Sequence, residues 1–168
     1  MIIIDSMNTP ARSPRKSRGF DSLEQQVFLN LWRTYDRLRA FEDDLFGRHD
    51  LTPQQYNALR LLSSAHPDKL TTLGLAGRLV SHAPDITRLL DKLEQRGLIA
   101  RDRPAHNRRV VRIGITAAGL ALLRALHKPL QECHAGQLGH LSPRQLKQLS
   151  LLLHAARRPH EEEGSSWR

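Results

Sequence analysis

Between residues 96 and 112 the chain carries Arg96, Arg101, Arg103, Arg108, Arg109 and Arg112 against a single acid, Asp102. Most charge runs are solvated faces. Guanidinium forks at this density also suit a polyanion, because they match phosphate oxygens and the acceptor edge of guanine. Just upstream, Asp85, Arg88, Lys92 and Gln95 fall on one side of a helical projection, with Thr87 and Asp91 flanking them. Ile86, Leu89, Leu90 and Leu93 fall on the other, at i, i+3, i+4 and i+7, the stripe of a helix lying on a core by one face. The spacing predicts a helix over about residues 83–96, with Pro84 in its first turn and Gly97 as a left-handed stop. A helix with a polar, basic outer face beside a cluster of arginines is equipped to enter a major groove and hold the duplex backbone.

After Gly97, Leu98-Ile99-Ala100 reads as a short strand, and Val111, Ile113 and Ile115 alternate with Arg112 and Gly114 as a second one. The polar stretch 102–109 between them, with Pro104 and Asn107, makes the pair a hairpin that projects the arginines.

The run Thr87-Arg88-Leu89-Leu90-Asp91-Lys92-Leu93-Glu94-Gln95-Arg96-Gly97-Leu98-Ile99, then Asn107-Arg108-Arg109, then Ile115-Thr116-Ala117-Ala118-Gly119, resembles the winged helix-turn-helix of the MarR family of bacterial transcription regulators. The likeness extends upstream to residues 51–60 and covers roughly residues 22–156. The family's wing usually reads Asp-x-Arg; here an Asn, Asn107, stands in place of the acid. The resemblance implies a mainly α fold with a small β-hairpin wing (α+β), a winged helix-turn-helix with long N- and C-terminal dimerisation helices. It also implies a sequence-specific regulator of transcription, most simply a repressor released by a small ligand.

The remaining segments fit that frame. Residues 1–19 hold Arg12, Arg15, Lys16 and Arg18 with little to bury and read as a disordered basic arm; Met7 is an alternative initiator. A domain over residues 20–156 follows. Its first helix, about 22–47, has Val27, Leu31, Tyr35, Leu38 and Leu45 at helical spacing, Ser22 and Gln25 as a capping box, and Gly47 at its end. Thr52 caps a second helix with Pro53 at its first position and Tyr56, Leu59 and Leu62 on its face. A third, short helix starts at Thr71 or Thr72 and runs through Leu73, Ala76 and Leu79. The DNA-binding unit is expected over about 50–116 and further dimerisation helices over about 116–156. There Thr116 caps a helix bearing Leu122, Leu123, Leu126 and Leu130, Gly139 breaks it, and Ser142-Pro143 starts another with Leu146, Leu149, Leu152 and Leu153. Residues 157–168 read as a flexible tail. Three long helices around one winged unit are more apolar surface than it can cover, so a homodimer is expected.

Composition agrees. The 168 residues include 26 Lys+Arg against 17 Asp+Glu, a net +9, which calls for a polyanionic partner, nucleic acid or an anionic membrane surface. No apolar run reaches the roughly 18 residues of a spanning helix. Met1-Ile2-Ile3-Ile4 meets Asp5 too soon for a signal peptide, and a single Cys excludes an internal disulfide, so a cytoplasmic protein is expected.

The candidate DNA contacts are His82, Asp85, Thr87, Arg88 and Lys92 toward base edges, with Asp85 also suited to complementing the helix N-terminus. Thr71, Thr72 and Ser81 are candidates for phosphate bonds or plain caps. On the wing they are Arg108 and Arg109, then Arg103, His106 and Asn107. The expected partner is double-stranded DNA with a pseudo-palindromic operator. The resemblance also implies a small aromatic or phenolic effector, for which Trp32, Tyr35, Arg39 and Tyr56 are the wall residues, an aromatic face plus a guanidinium. Peroxide sensing through Cys133, its pKa lowered by His127, Lys128 and His134, is the alternative switch. Non-specific binding to DNA or a membrane surface is the alternative function. No glycine-rich phosphate loop, G-x-S-x-G or H-E-x-x-H is present, so neither an enzyme nor a cofactor is expected. No metal is expected either, because His127 and His134 on one helix stand about 10.5 Å apart along its axis.

Overall fold

A computed structural model describes residues 19–80, 85–103 and 110–161. The chain divides into two units, residues 1–37 and 38–168, the boundary falling within the first helix. In order, the elements are α1 (Leu23–Gly47), α2 (Pro53–Ala65), β1 (Leu70–Thr71), α3 (Thr72–Ala76), α4 (Ile86–Gln95), β2 (Ile99–Asp102), β3 (Arg112–Ile115), α5 (Ala117–Leu138) and α6 (Pro143–Arg157), then a 3-10 turn at Arg158–His160. The fold is therefore mainly α with a small antiparallel sheet, as the sequence implied.

In the first unit, Ser22 Oγ accepts from Gln25 N–H at 3.1 Å, but the Gln25 carboxamide returns to Asp21 N–H rather than to Ser22. The expected capping box is thus half formed. Val27, Leu31 and Tyr35, expected on the inward face, are exposed, as are Leu23, Phe28 and Trp32; Phe28 and Trp32 lie ring to ring at 6.2 Å.

The second unit contains the core. Phe46, Leu51, Ala58, Leu59, Leu62, Leu75, Leu90, Leu93, Leu98, Ile99, Ile113, Ile115 and Leu126 are all buried. Its helix starts are set locally. Thr52 forms a full capping box with Gln55, Pro53 occupies the first helical position, and Ser142, Gln145 and Pro143 repeat the arrangement at α6. Thr116 Oγ1 accepts from Gly119 N–H at 3.1 Å to cap α5. Gly119 is obligatory for another reason: a Cβ there would lie 2.3 Å from the Leu98 carbonyl oxygen and 2.6 Å from Ile115 Cγ1.

Three expectations need correction. The expected hairpin is two strands of a three-stranded sheet in the order β1-β3-β2, with Leu70 opposite Ile113 on one side of β3 and Arg101 opposite Ile113 on the other. A two-residue strand has too little alternation to be seen in sequence. The third helix ends at Ala76, and Leu75 is its buried residue, whereas Leu73 is 85% exposed. In one and a half turns, helical periodicity does not fix which leucine points inward. The last helix reaches Arg157 and passes into a 3-10 turn; its Leu149, Leu152 and Leu153 are exposed.

Leu75→Ala should cost about 2–5 kcal/mol through an unfilled cavity, while Leu73→Ala should stay within about 0.5 kcal/mol. Chemical denaturation of both variants checks the assignment, and equal costs would contradict it.

Candidate nucleic-acid interface

The site begins with α4. Asp85 is its N-cap, its Oδ1 accepting from Arg88 N–H at 2.9 Å, so the helix starts about three residues later than the spacing suggested. Asp85 thus has the helix-terminus role, where a carboxylate offsets the unsatisfied N–H groups. Leu90 and Leu93 are buried and Ile86 and Leu89 pack against the core, which turns Thr87, Arg88 and Lys92 outward, all exposed. At the far end Gly97 takes φ +66°. Gly97 N–H donates to Glu94 O at 2.8 Å and Leu98 N–H to Leu93 O at 3.0 Å, the paired bonds of a Schellman stop.

The arginines then divide into two groups. Arg96, read as part of the basic run, donates to the carbonyls of Asp50 at 2.5 Å and His49 at 3.1 Å. It brackets a turn in which Asp50 has φ +52°. Arg101 is committed as well: Nη1 reaches Asp91 Oδ1 at 2.5 Å and Glu94 Oε2 at 3.4 Å, and Nη2 donates to Thr87 O at 3.3 Å. Its backbone N–H donates to Glu94 Oε1 at 3.2 Å. Arg101 therefore ties β2 to the flank of α4 rather than offering charge to a partner. Asp102, the lone acid of the run, pairs with Lys69 Nζ at 2.9 Å. Arg103 and Arg112 remain exposed.

Between α4 and the wing strands lies a cleft of about 470 Å³ lined by Thr72, Thr87, Glu94, Arg101 and Arg103 among others. Thr71 caps α3, its Oγ1 accepting from Gly74 N–H at 3.0 Å, and so has the plain capping role weighed for it. The structure brings Thr72, Thr87 and Arg103 together around this cleft, with Arg88 and Lys92 on the opposite flank of α4. Ser81, His82, His106, Asn107, Arg108 and Arg109 lie outside the described residues.

The effector candidates divide between the two units. Trp32 and Tyr35 belong to the first unit and are exposed. In the second, Arg39 pairs with Asp43 at 3.0 Å and Tyr56 stacks on Phe46 at 4.7 Å; burial pushes its phenol pKa up, so the ring stays neutral. Cys133 departs from the expectation. Burial, then Glu42 and Asp44, raise its thiol pKa, and His134, invoked to lower it, itself lies 3.5 Å from Glu42. Among the described residues no cluster of His, Cys, Asp and Glu forms a metal site, and no helix is long and apolar enough to cross a membrane.

Comparison with known proteins gives a consistent set. A family model described as MarR family matches residues 51–111. The chain is 51% identical to a MarR transcription factor from Planctomyces limnophilus, covering 81% of this chain and 98% of that one, with a TM-score of 0.66. It is 29% identical over 131 residues to the homoprotocatechuate degradative operon repressor of Escherichia coli, covering 78% of this chain and 87% of that protein. MepR of S. aureus, solved in complex with DNA, is 26% identical over 79% of this chain and 97% of its own, with a TM-score of 0.69.

Arg101→Gln should lower stability by about 1 kcal/mol, since its bonds to charged groups are partly exposed, and should speed amide exchange in β2 and β3; unchanged exchange would show the fork to be idle. The Cys133 alkylation rate should still climb above pH 9, because a raised pKa keeps the thiol protonated where an ordinary one ionises. A plateau near pH 7 would mark a reactive thiolate and reopen peroxide sensing.

Proposed function

The chain belongs to the MarR family of transcription regulators, and from that premise we propose that it binds double-stranded operator DNA as a homodimer and represses transcription until a small aromatic or phenolic acid releases it. The observation that carries the DNA reading is the rigid pairing of an outward polar helix with a wing: Thr87 and Arg88 are exposed on α4, and Arg101 fixes β2 to that same helix. A duplex meeting this surface receives α4 in its major groove. Arg88 reads guanine, Thr87 a thymine methyl or a phosphate, and Arg103 with the residues of the wing tip holds the backbone. Residues of about 50–116 form this DNA-binding unit. The name of the E. coli relative, an operon repressor, and the DNA complex of MepR support the assignment.

The homodimer is supported by apolar side chains left exposed in each unit: Leu23, Val27, Phe28, Leu31 and Trp32 in the first, Leu149, Leu151, Leu152 and Leu153 in the second. Isolated exposed leucines need no partner, but runs of them on helices do. In the first unit, the exposed aromatic faces of Trp32 and Tyr35 suit an aromatic acid. Release requires that such a ligand favour a dimer whose α4 helices are misplaced for DNA.

Duplexes retained from a random pool should share a pseudo-palindrome with half-sites about one helical turn apart, and affinity should fall with salt at a log–log slope of about −0.9 per phosphate contact. Arg88→Ala should relax the preference at one base pair per half-site, a loss of about 1–3 kcal/mol. Salt-sensitive binding without sequence enrichment would favour a general polyanion binder instead. With the selected duplex in hand, a true effector should lower operator affinity and raise the melting temperature together; aromatic acids that do neither would remove that part of the account.

A further inference from the structure

The outer face of the small sheet carries a side chain that crosses it. Ile113 and Ile115 of β3 are buried in the core, so strand alternation puts Arg112 and Gly114 on the opposite face. Arg112 is exposed there, yet Gly114 is buried. What covers it is the stem of Lys69, which precedes β1: a Cβ on Gly114 would lie 3.2 Å from Lys69 Cγ, 3.4 Å from Cε and 3.6 Å from Cδ. Beyond Gly114, Lys69 Nζ reaches Asp102 Oδ2 on β2 at 2.9 Å. One side chain thus runs from the start of β1 over β3 to the end of β2.

We propose that Lys69 is a positioning residue for the wing: by holding Asp102, it keeps Arg112 free to meet a polyanion. The proposal rests on the DNA-binding reading above and deepens it, because it names what sets the number of free cations at the base of the wing.

The register carries the argument. Asp102 and Arg112 are directly opposite each other on β2 and β3, and opposite charges facing each other across an antiparallel pair attract. Among the described residues they nevertheless form no ion pair, and Asp102 binds a lysine from beyond the far side of β3. Gly114 makes that detour possible, since a side chain there would stand in the path of the Lys69 stem. The pair is not there for stability: the two side chains are 43% and 49% exposed, and ion pairs in water contribute little. Its effect is on where charge is left over. Arg96 and Arg101 are committed to carbonyls and carboxylates, which leaves Arg103 and Arg112 exposed at the base of the wing. Without the lysine charge, the cation facing Asp102 across the ladder is Arg112, whose planar fork can take both carboxylate oxygens at once. A phosphate would then meet a neutral pair where it now meets a guanidinium.

The test uses the full chain. Lys69→Met keeps an unbranched stem over Gly114 and removes the charge; with so exposed a pair it should melt with the wild type. On a duplex selected from a random pool, it should weaken binding about three- to tenfold whatever the sequence and lower the salt slope by about one per protomer, while Lys69→Arg should bind as the wild type does. Arg112→Ala should cause a similar loss in the wild type and no further loss in the Lys69→Met background, whereas Arg103→Ala should cost the same in both. In the free protein, hydrogen exchange at Arg112 Nε–H should slow in Lys69→Met and return to the wild-type rate when Asp102→Asn is added. Additive losses for Lys69→Met and Arg112→Ala would make Lys69 an independent contact and overturn the proposal while DNA binding stands; so would Arg112 exchange that ignores Lys69. If the wild type retains no duplex, the DNA-binding reading falls, and the exchange measurement, made without DNA, still decides whether Lys69 keeps Asp102 from Arg112.

Discussion

The angle at which the chain leaves α4 governs everything on its polar surface. A helix ten residues long cannot hold its own direction against solvent, and a four-residue strand is weaker still. The reversal at Gly97 joins them through two backbone bonds that only a left-handed residue permits. Arg101 then closes the angle, bonding back across ten residues to Asp91 and fourteen to Thr87, and Arg96 anchors the same corner to the α1–α2 turn. Thr116 Oγ1 donates to Gly97 O at 2.7 Å while capping α5, so the end of β3 is fixed to the same point. α4, β2 and the end of β3 thus share one joint held by several independent bonds.

That economy explains the distribution of charge. Arginines near the joint are spent on carbonyls and carboxylates, where a planar fork makes several bonds at once. Those away from it, Arg88, Arg103 and Arg112, stay exposed. The net positive charge steers the chain toward a polyanion, but the local division determines which groups are available to touch it. Counting every arginine in the run as a contact overstates the interface and misses the scaffold beneath it.

What was legible in the sequence was local. The α4 stripe, the Gly97 stop, the Thr52 and Ser142-Pro143 helix starts and the Thr116 cap depend on residues close in sequence, and each has its expected form or nearly so, though the one capping box expected, at Ser22 and Gln25, is only half formed. What was not legible depends on pairing across distance. β1 exists because Leu70 and Thr71 meet β3 some forty residues on, and the role of Arg101 depends on how β2 folds back along α4. One signal was present: Asp91 and Glu94, three apart on a single flank of an otherwise basic helix, invited a nearby cation. For Cys133 the basic neighbours in sequence were a poor guide, because burial, and then Glu42 and Asp44 of α1, raise the thiol pKa.

The most direct measurement is a map of backbone amide shifts as a bound duplex is titrated in. If α4 and the wing form a single DNA-facing tool, Asp85, Arg88, Lys92, Arg103 and Arg112 should shift together and saturate at one concentration, with α6 unmoved. Shifts confined to α5 and α6, or a wing that responds at a different concentration from α4, would contradict the account.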